Sequence, residues 1–477
     1  MFTIILIIIF LNTLAALITV FRESRGISST WTWLLVLVLL PIIGFILYLF
    51  IGKKISKENI FDLQKQERLG LRVSASEQKE LLEKRQLAQR HSRAEKEMIS
   101  LFLNTEEALY TKGNVVDIID NGNVKFEQLL EDINNATHHI HLQYYIFNND
   151  DLGKKIMRAL YKKASQGVEV LVLYDALGSR TLNPQFFRRL TKAGGKALSF
   201  FGSSIPIVNL RFNYRNHRKI VVIDGKIGYV GGFNIGDEYL GKGKLGYWRD
   251  THLRISGEAV HSLQTRFFVD WNAVAKLEDE KGYKEEYFPP FEEIGHTAMQ
   301  IVCSGPESDW DQIKLGYVKM ISLAKKSIWI QTPYFIPDES VMDALRIAIM
   351  SGIEVNIMIP CKPDHPLVYR ATEYYAKICG SLGANIYVYQ KGFMHSKVLS
   401  IDGRMASVGT ANFDIRSFEL NFEVCAFMYD AYIAKTLEEQ FKRDIEFCEQ
   451  ATSEYFSQQS LWRKLKQLFS RLFSPVL

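Results

Sequence analysis

The feature that most constrains this chain is an internal repeat. Ala136-Thr-His-His-Ile-His-Leu-Gln143 returns as Ala324-Lys-Lys-Ser-Ile-Trp-Ile-Gln331. Gly167-Val-Glu-Val-Leu-Val-Leu returns as Gly352-Ile-Glu-Val-Asn-Ile-Met, and His217 as His395, each at a slightly shorter offset than the match before. Loop deletions between equivalent elements leave such a slowly drifting offset. Solenoid units run to roughly 20–50 residues, so a period near 180 predicts two similar lobes instead. In each lobe short β-branched runs alternate with helical periodicity. Residues 140–147 read as a strand, 152–165 as an amphipathic helix and 168–174 as a buried strand, and 328–332, 340–350 and 353–359 repeat the series. This alternation predicts α/β lobes, each a mixed sheet flanked by helices, related by a pseudo-twofold axis.

One pattern recurs at the same place in both repeats. After His217 come Lys219, Asp224, Gly231 and Asn234, and after His395 come Lys397, Asp402, Gly409 and Asn412, at +2, +7, +14 and +17 in each case. A single His-x-Lys carries little information, but the full pattern twice is highly specific. On a strand, residues i and i+2 share a face, so His and Lys point into one site. The apolar residues between Lys and Asp enter the core, Asp-Gly turns the chain, and the next strand returns Asn to the site. Gly231, Gly232 and Gly409 are expected to leave room for a ligand beside the backbone. Two facing lobes supply two imidazoles, two ammoniums and two amides. Ammonium and amide N–H groups donate to phosphate oxygens, and two imidazoles suit a two-step displacement at phosphorus in which one attacks and the other moves protons.

These paired motifs resemble the phospholipase D superfamily over about residues 115–448. The resemblance implies a covalent phosphohistidine intermediate, with neither metal nor cofactor. It makes His217 the nucleophile and His395 the general acid and base, in a catalytic set completed by Lys219, Lys397, Asp224 and Asp402. Within the set, Asp224 and Asp402 are expected behind the site as hydrogen-bond acceptors. A nucleophilic histidine needs its second ring nitrogen held by an acceptor. Asp250, downstream of His217, and Glu423, at a comparable distance downstream of His395, stand where the family keeps its orienting acids. With Asn234 and Asn412 they form the expected phosphate-binding and supporting shell. His138, His139 and His141 resemble a metal cluster, but strand alternation separates His138 from His139 and no Cys or acidic residue lies near in sequence, so no metal site is assigned there. His365, in Pro363-Asp-His-Pro, opens a helix beside a strand end and is a candidate substrate contact.

Flanking segments narrow the class. Residues 2–21 and 27–52 are uncharged and long enough to cross a bilayer core of ~30 Å. With no basic n-region before the first run and a second run directly after it, residues 1–52 are expected to form a transmembrane hairpin, not a signal peptide. Lys53, Lys54, Lys57, Arg68 and Arg72 outnumber Arg22 and Arg25, which places the lobes on the cytoplasmic side of a multi-pass anchor. Residues 53–114 read as a charged helical linker, 115–290 and 291–455 as the lobes, and 456–477 as an amphipathic tail suited to a bilayer interface. The five scattered cysteines suggest reduced thiols, and a net charge of +5 over 477 residues argues against nucleic acid as a partner. This arrangement resembles the bacterial cardiolipin synthases, as do Gly231-Gly-Phe-Asn-Ile-Gly-Asp-Glu-Tyr-Leu-Gly and Arg416-Ser-Phe-Glu-Leu-Asn-Phe-Glu. The implied reaction joins two phosphatidylglycerols into cardiolipin and glycerol, with membrane phospholipids as partners. Water or another alcohol as acceptor is the alternative, and a silent membrane scaffold a remote one. Oligomeric state is left open.

Overall fold

The computed structural model of the chain describes residues 14, 18, 27–48, 52, 71–84, 86–105, 108–183, 185–202, 213–308 and 310–475. Its frame is a sixteen-stranded sheet in which the repeat is visible strand by strand. In the first lobe the order runs Tyr110–Ile119, His252–Ser256, Ile227–Gly231, Ile220–Ile223, His139–Tyr144, Glu169–Asp175, Lys196–Phe200. The second lobe repeats it as Thr297–Ser304, Asn421–Met428, Met405–Gly409, Val398–Ile401, Ser327–Gln331, Glu354–Pro360, Asn385–Tyr389, with Cys448–Gln450 added at the edge. The first strands of the two lobes pair antiparallel, Tyr110 opposite Gln300 and Asn114 opposite Thr297. The sheets therefore join at their centre, and the buried runs Ile220–Ile223 and Val398–Ile401 follow each His-x-Lys directly.

Both Asp-Gly turns are built alike. Asp224 and Asp402 each take a positive φ of 54°. The Asp224 carboxylate accepts from the backbone N–H groups of Thr137, His138 and His139, and that of Asp402 from Lys325, Lys326 and Ser327. Each aspartate thus fastens the hairpin to the start of the neighbouring strand, where orphan N–H groups would otherwise stand.

The N-terminal expectation is corrected. Residues 27–47 do not form one span. They form two helices, Ile27–Leu39 and Pro41–Leu47, of 13 and 7 residues. Pro41 has no N–H to continue the helical ladder, and Leu40 before it leaves helical geometry at φ −129° and ψ 66°. A crossing needs ~20 residues, and among the described residues no helix is long and apolar enough. The run at 2–21 lies outside the described residues except for Leu14 and Ile18. The transmembrane hairpin, the multi-pass topology and the cytoplasmic placement derived from it therefore have no spanning helix beneath them among the described residues.

Of the stretch read as a charged linker, residues 53–70, 85 and 106–107 lie outside the described residues, and the remainder includes a packed helix. Helix Arg93–Thr105 buries Met98, Ile99, Phe102 and Leu103 in the second lobe's core, with Phe102 4.5 Å from Phe427 between ring centroids. The surrounding Glu, Lys and Arg mask this short apolar stripe. Replacing Phe102 with Ala should lower the unfolding free energy by about 3–4 kcal/mol in urea titrations. A loss below about 0.5 kcal/mol, as on a solvated spacer, would contradict this packing.

Candidate active site

Two very short parallel pairings bring the lobes together. Arg215–Asn216 pairs with Asn421–Phe422, and the next backbone N–H, of His217, bonds the Phe422 carbonyl at 2.9 Å. Gly392–Met394 pairs with Tyr247–Arg249, and the N–H of His395 bonds the Arg249 carbonyl at 2.7 Å. Each histidine is therefore laid against the segment of the other lobe that leads into a carboxylate. His217 Nδ1 lies 2.9 Å from both oxygens of Glu423. His395 Nδ1 lies 2.6 Å from Asp250 Oδ2. The pairs are crossed: the first lobe's histidine takes the second lobe's acid, and the reverse. Sequence distance brings out both acids but not the crossing, because it suggests pairing within a lobe.

A carboxylate can only accept from Nδ1–H, which fixes each neutral imidazole with its lone pair on Nε2. Both acids are fully buried. Burial by itself would raise their pKa values, but the facing histidines, the lysines and the Thr410 and Thr251 donors outweigh it and hold both below the usual range. Thr410 Oγ1 donates to Glu423 Oε2 at 2.5 Å and the Thr251 N–H to Asp250 Oδ1 at 2.8 Å. Gly232 serves this arrangement. A Cβ there would sit 1.9 Å from Asp250 Oδ1, so the space expected for a ligand belongs to the carboxylate.

Lys219 and Lys397 lie between the pairs, their ammoniums bonded to the carbonyls of His217 and His395. Burial, only partly offset by Glu423 and Asp250, brings Lys219 down to about 7 and Lys397 to about 8. Burial likewise lowers both histidines to about 4, against the pull of their acids. Tyr145 stands edge-on to His217 at 4.9 Å and Trp248 tilts against His395 at 5.1 Å, giving the site aromatic walls. Asn234 donates to Tyr239 Oη at 2.8 Å and accepts from the Ile146 N–H, while Asn412 Nδ2 meets Asp414 Oδ2 at 3.2 Å. Each amide nitrogen thus has one hydrogen engaged. Asp224 and Asp402 stand five residues beyond the lysines at the far ends of their strands, roughly 16 Å along an extended chain, and do not join the histidines.

The sequence reading missed a second layer. Arg218 bonds Asp270 at 2.6 and 2.8 Å, and Gln143 reaches the same carboxylate at 2.7 Å. Arg249 bonds Asp444, and Gln331 reaches it too, both at 2.9 Å. Arg218 Nε also donates to the Glu423 carbonyl and Arg249 to the Asp250 carbonyl, so each Arg–Asp–Gln group braces one orienting acid. Gln143 and Gln331 occupy matched positions in the repeat, which is the available signal. The neighbouring histidines are structural in their contacts. His141 bonds Glu169 at 3.0 Å, an acidic partner that sequence proximity does not reveal, and His139 bonds Gln264. His365 is exposed at the start of helix Pro366–Leu382, 6.5 Å from the Tyr334 ring, and adjacent Asp364 accepts from the Tyr334 hydroxyl.

Two lobes, each offering His and Lys from the short link just before a core strand to a shared, acid-oriented centre, define a phosphodiester-transferring protein of the phospholipase D class. The family model described as "Cardiolipin synthase, PLD-like domain" matches residues 129–271 and 317–445, and "Phospholipase_D-nuclease N-terminal" matches 10–53. The chain belongs to the cardiolipin synthase family. It is 52% identical to the major cardiolipin synthase of Bacillus subtilis (98% of this chain, 97% of that one) and 50% identical to a cardiolipin synthase of Listeria monocytogenes (99% and 98%). Among solved structures, a phosphatidylserine synthase from Haemophilus influenzae shares the fold with a TM-score of 0.61 at 17% identity, over 80% of this chain and 100% of that one.

The electrostatics give a pH test. A phosphodiester keeps a single charge across neutral pH, so if both ammoniums hold it, their protons are required. Its dissociation constant, measured calorimetrically with diethyl phosphate, should rise as pH climbs past about 7–8, by up to about tenfold per pH unit for each lysine proton lost. Affinity unchanged to about pH 9 would show that the lysines do not hold the anion.

Proposed function

We infer that this chain is a phosphatidyltransferase that joins two phosphatidylglycerol molecules into cardiolipin and glycerol. The near-full-length identity to cardiolipin synthases carries the reading, and the complete, crossed pair of half-sites supports its chemistry.

In the mechanism we propose, Lys219 and Lys397 hold the non-bridging oxygens of the first lipid's phosphate. His217 Nε2 attacks phosphorus in line while the P–O bond to the headgroup glycerol breaks. His395, protonated as the anion enters beside it, gives that proton to the departing glycerol oxygen. The second lipid's terminal hydroxyl then passes its proton to His395. Its oxygen attacks phosphorus and the P–N bond to His217 breaks, releasing cardiolipin. One phosphodiester replaces another, so no nucleotide is consumed. Glu423 stabilises the positive charge His217 gains in the intermediate, and Asp250 the imidazolium of His395.

The test uses phosphatidylglycerol labelled at phosphorus as sole substrate. The parent should yield labelled cardiolipin and free glycerol. Denatured in alkali during turnover, which spares the acid-labile phosphorus–nitrogen bond, the parent should carry label on His217, and His217→Asn should carry none. Phosphatidic acid as main product would mean water is the acceptor, and label on His395 in the parent would reverse the two histidines' roles.

A further inference from the structure

The final helix, Leu461–Arg471, is turned opposite to an ordinary surface helix. Its polar side faces the protein. Gln467 is buried and donates to Glu373 at 3.1 Å, Arg463 pairs with the same carboxylate, and Arg471 reaches the Tyr374 hydroxyl at 2.8 Å. Beyond the helix, the Tyr375 hydroxyl donates to Ser474 at 3.2 Å. All these partners lie on helix Pro366–Leu382. Its apolar side faces outward: Leu461, Trp462, Leu465, Leu468, Phe469 and Leu472 are between 49% and 80% exposed. An amphipathic helix normally buries that stripe, and a contiguous apolar face left in water marks a binding surface.

We propose that this face is a docking surface for an anionic phospholipid leaflet, with the helix lying in the plane of the interface and carrying the catalytic lobes on its polar side. The proposal rests on the lipid-substrate reading above. Charge selects the occupant. Lys464, Lys466 and Arg471 flank the apolar stripe, and the helix has no acidic residue. Lys466 lies 5.3 Å from the Trp462 ring, a pairing of amphipathic groups suited to the headgroup level. A second copy docking symmetrically would set this basic face against itself. Anionic headgroups complement it. The coupling to the site is short. The helix beneath begins directly after Asp364 and His365, and Asp364 binds Tyr334 and acts on Lys397. Leu367, in that first turn, is exposed as well.

The experiment uses the full chain and vesicles of phosphatidylglycerol carrying a photoactivatable group in the acyl chain. After irradiation and digestion, residues 461–473 should carry label. Trp462→Ser with Phe469→Ser should reduce that label about tenfold or more, given the apolar area removed from contact. The same variant should raise the KM for vesicular phosphatidylglycerol about tenfold while turnover of a short-chain, monomeric phosphatidylglycerol stays within about twofold of the parent. Both side chains are largely exposed, so the monomeric assay also checks the fold. Absence of label on this segment would overturn the proposal. So would an unchanged vesicular KM, or a dimer that dissociates in the variant while the parent's segment stays unlabelled. A parent inactive on both lipid forms would refute the catalytic reading, and the labelling would still decide the docking surface.

Discussion

Everything at this site depends on two hydrogen bonds that cross from one lobe to the other, His217 to Glu423 and His395 to Asp250. A carboxylate with no solvent contact is strongly unfavourable unless paired and hydrogen-bonded. Each lobe alone would hold an orienting acid without its histidine, and a histidine without its orienting acid. The lobes must therefore close on one another before either half-site exists. The rest of the architecture serves that closure: the central pairing of Tyr110–Ile119 with Thr297–Ser304, the two short inter-lobe strand pairs, and the buried Arg218 and Arg249 that hold the acids' backbones.

The charge balance follows from the same arrangement. Two ammoniums and two carboxylates cancel while both imidazoles are neutral. A phosphodiester adds one negative charge, which draws Lys219 and Lys397 toward their protonated forms and makes a proton on His395 favourable. In the proposed mechanism that proton is the one passed to the leaving group. Burial that depresses all four cationic groups is the condition for this response.

Much of this was legible in the sequence because it is local. The repeat foretold two lobes, and the repeated spacing singled out His and Lys, although both stand in the link before the core strand and not on a strand as expected. The positions of Asp224 and Asp402, behind the site on backbone N–H groups, also follow from a hairpin turn. The crossing of the acids was not legible, because strand spacing says nothing of which lobe a strand will meet. Gly232 was misread for that reason, since its empty side faces Asp250 and not a ligand. The apolar run at 27–52 was read by hydropathy alone, which overlooked what Pro41 does to a helix. The last helix shows the converse: its amphipathic spacing was plain in the text, but which side would meet the protein depended on Glu373, far earlier in the chain.

The most direct test of the crossed pairing is a single-turnover burst with a phosphatidyl ester of p-nitrophenol, whose departure needs no general acid. Only attack by the nucleophile, and hence only its own orienting acid, limits this step. If His217 is paired with Glu423, the burst should fall about a hundredfold or more in both His217→Asn and Glu423→Gln, the scale expected when a catalytic imidazole loses its orienting acid. It should persist within about tenfold in His395→Asn and Asp250→Asn. Loss of the burst in Asp250→Asn together with His217→Asn, with Glu423→Gln unaffected, would place each acid with the histidine of its own lobe and contradict the account.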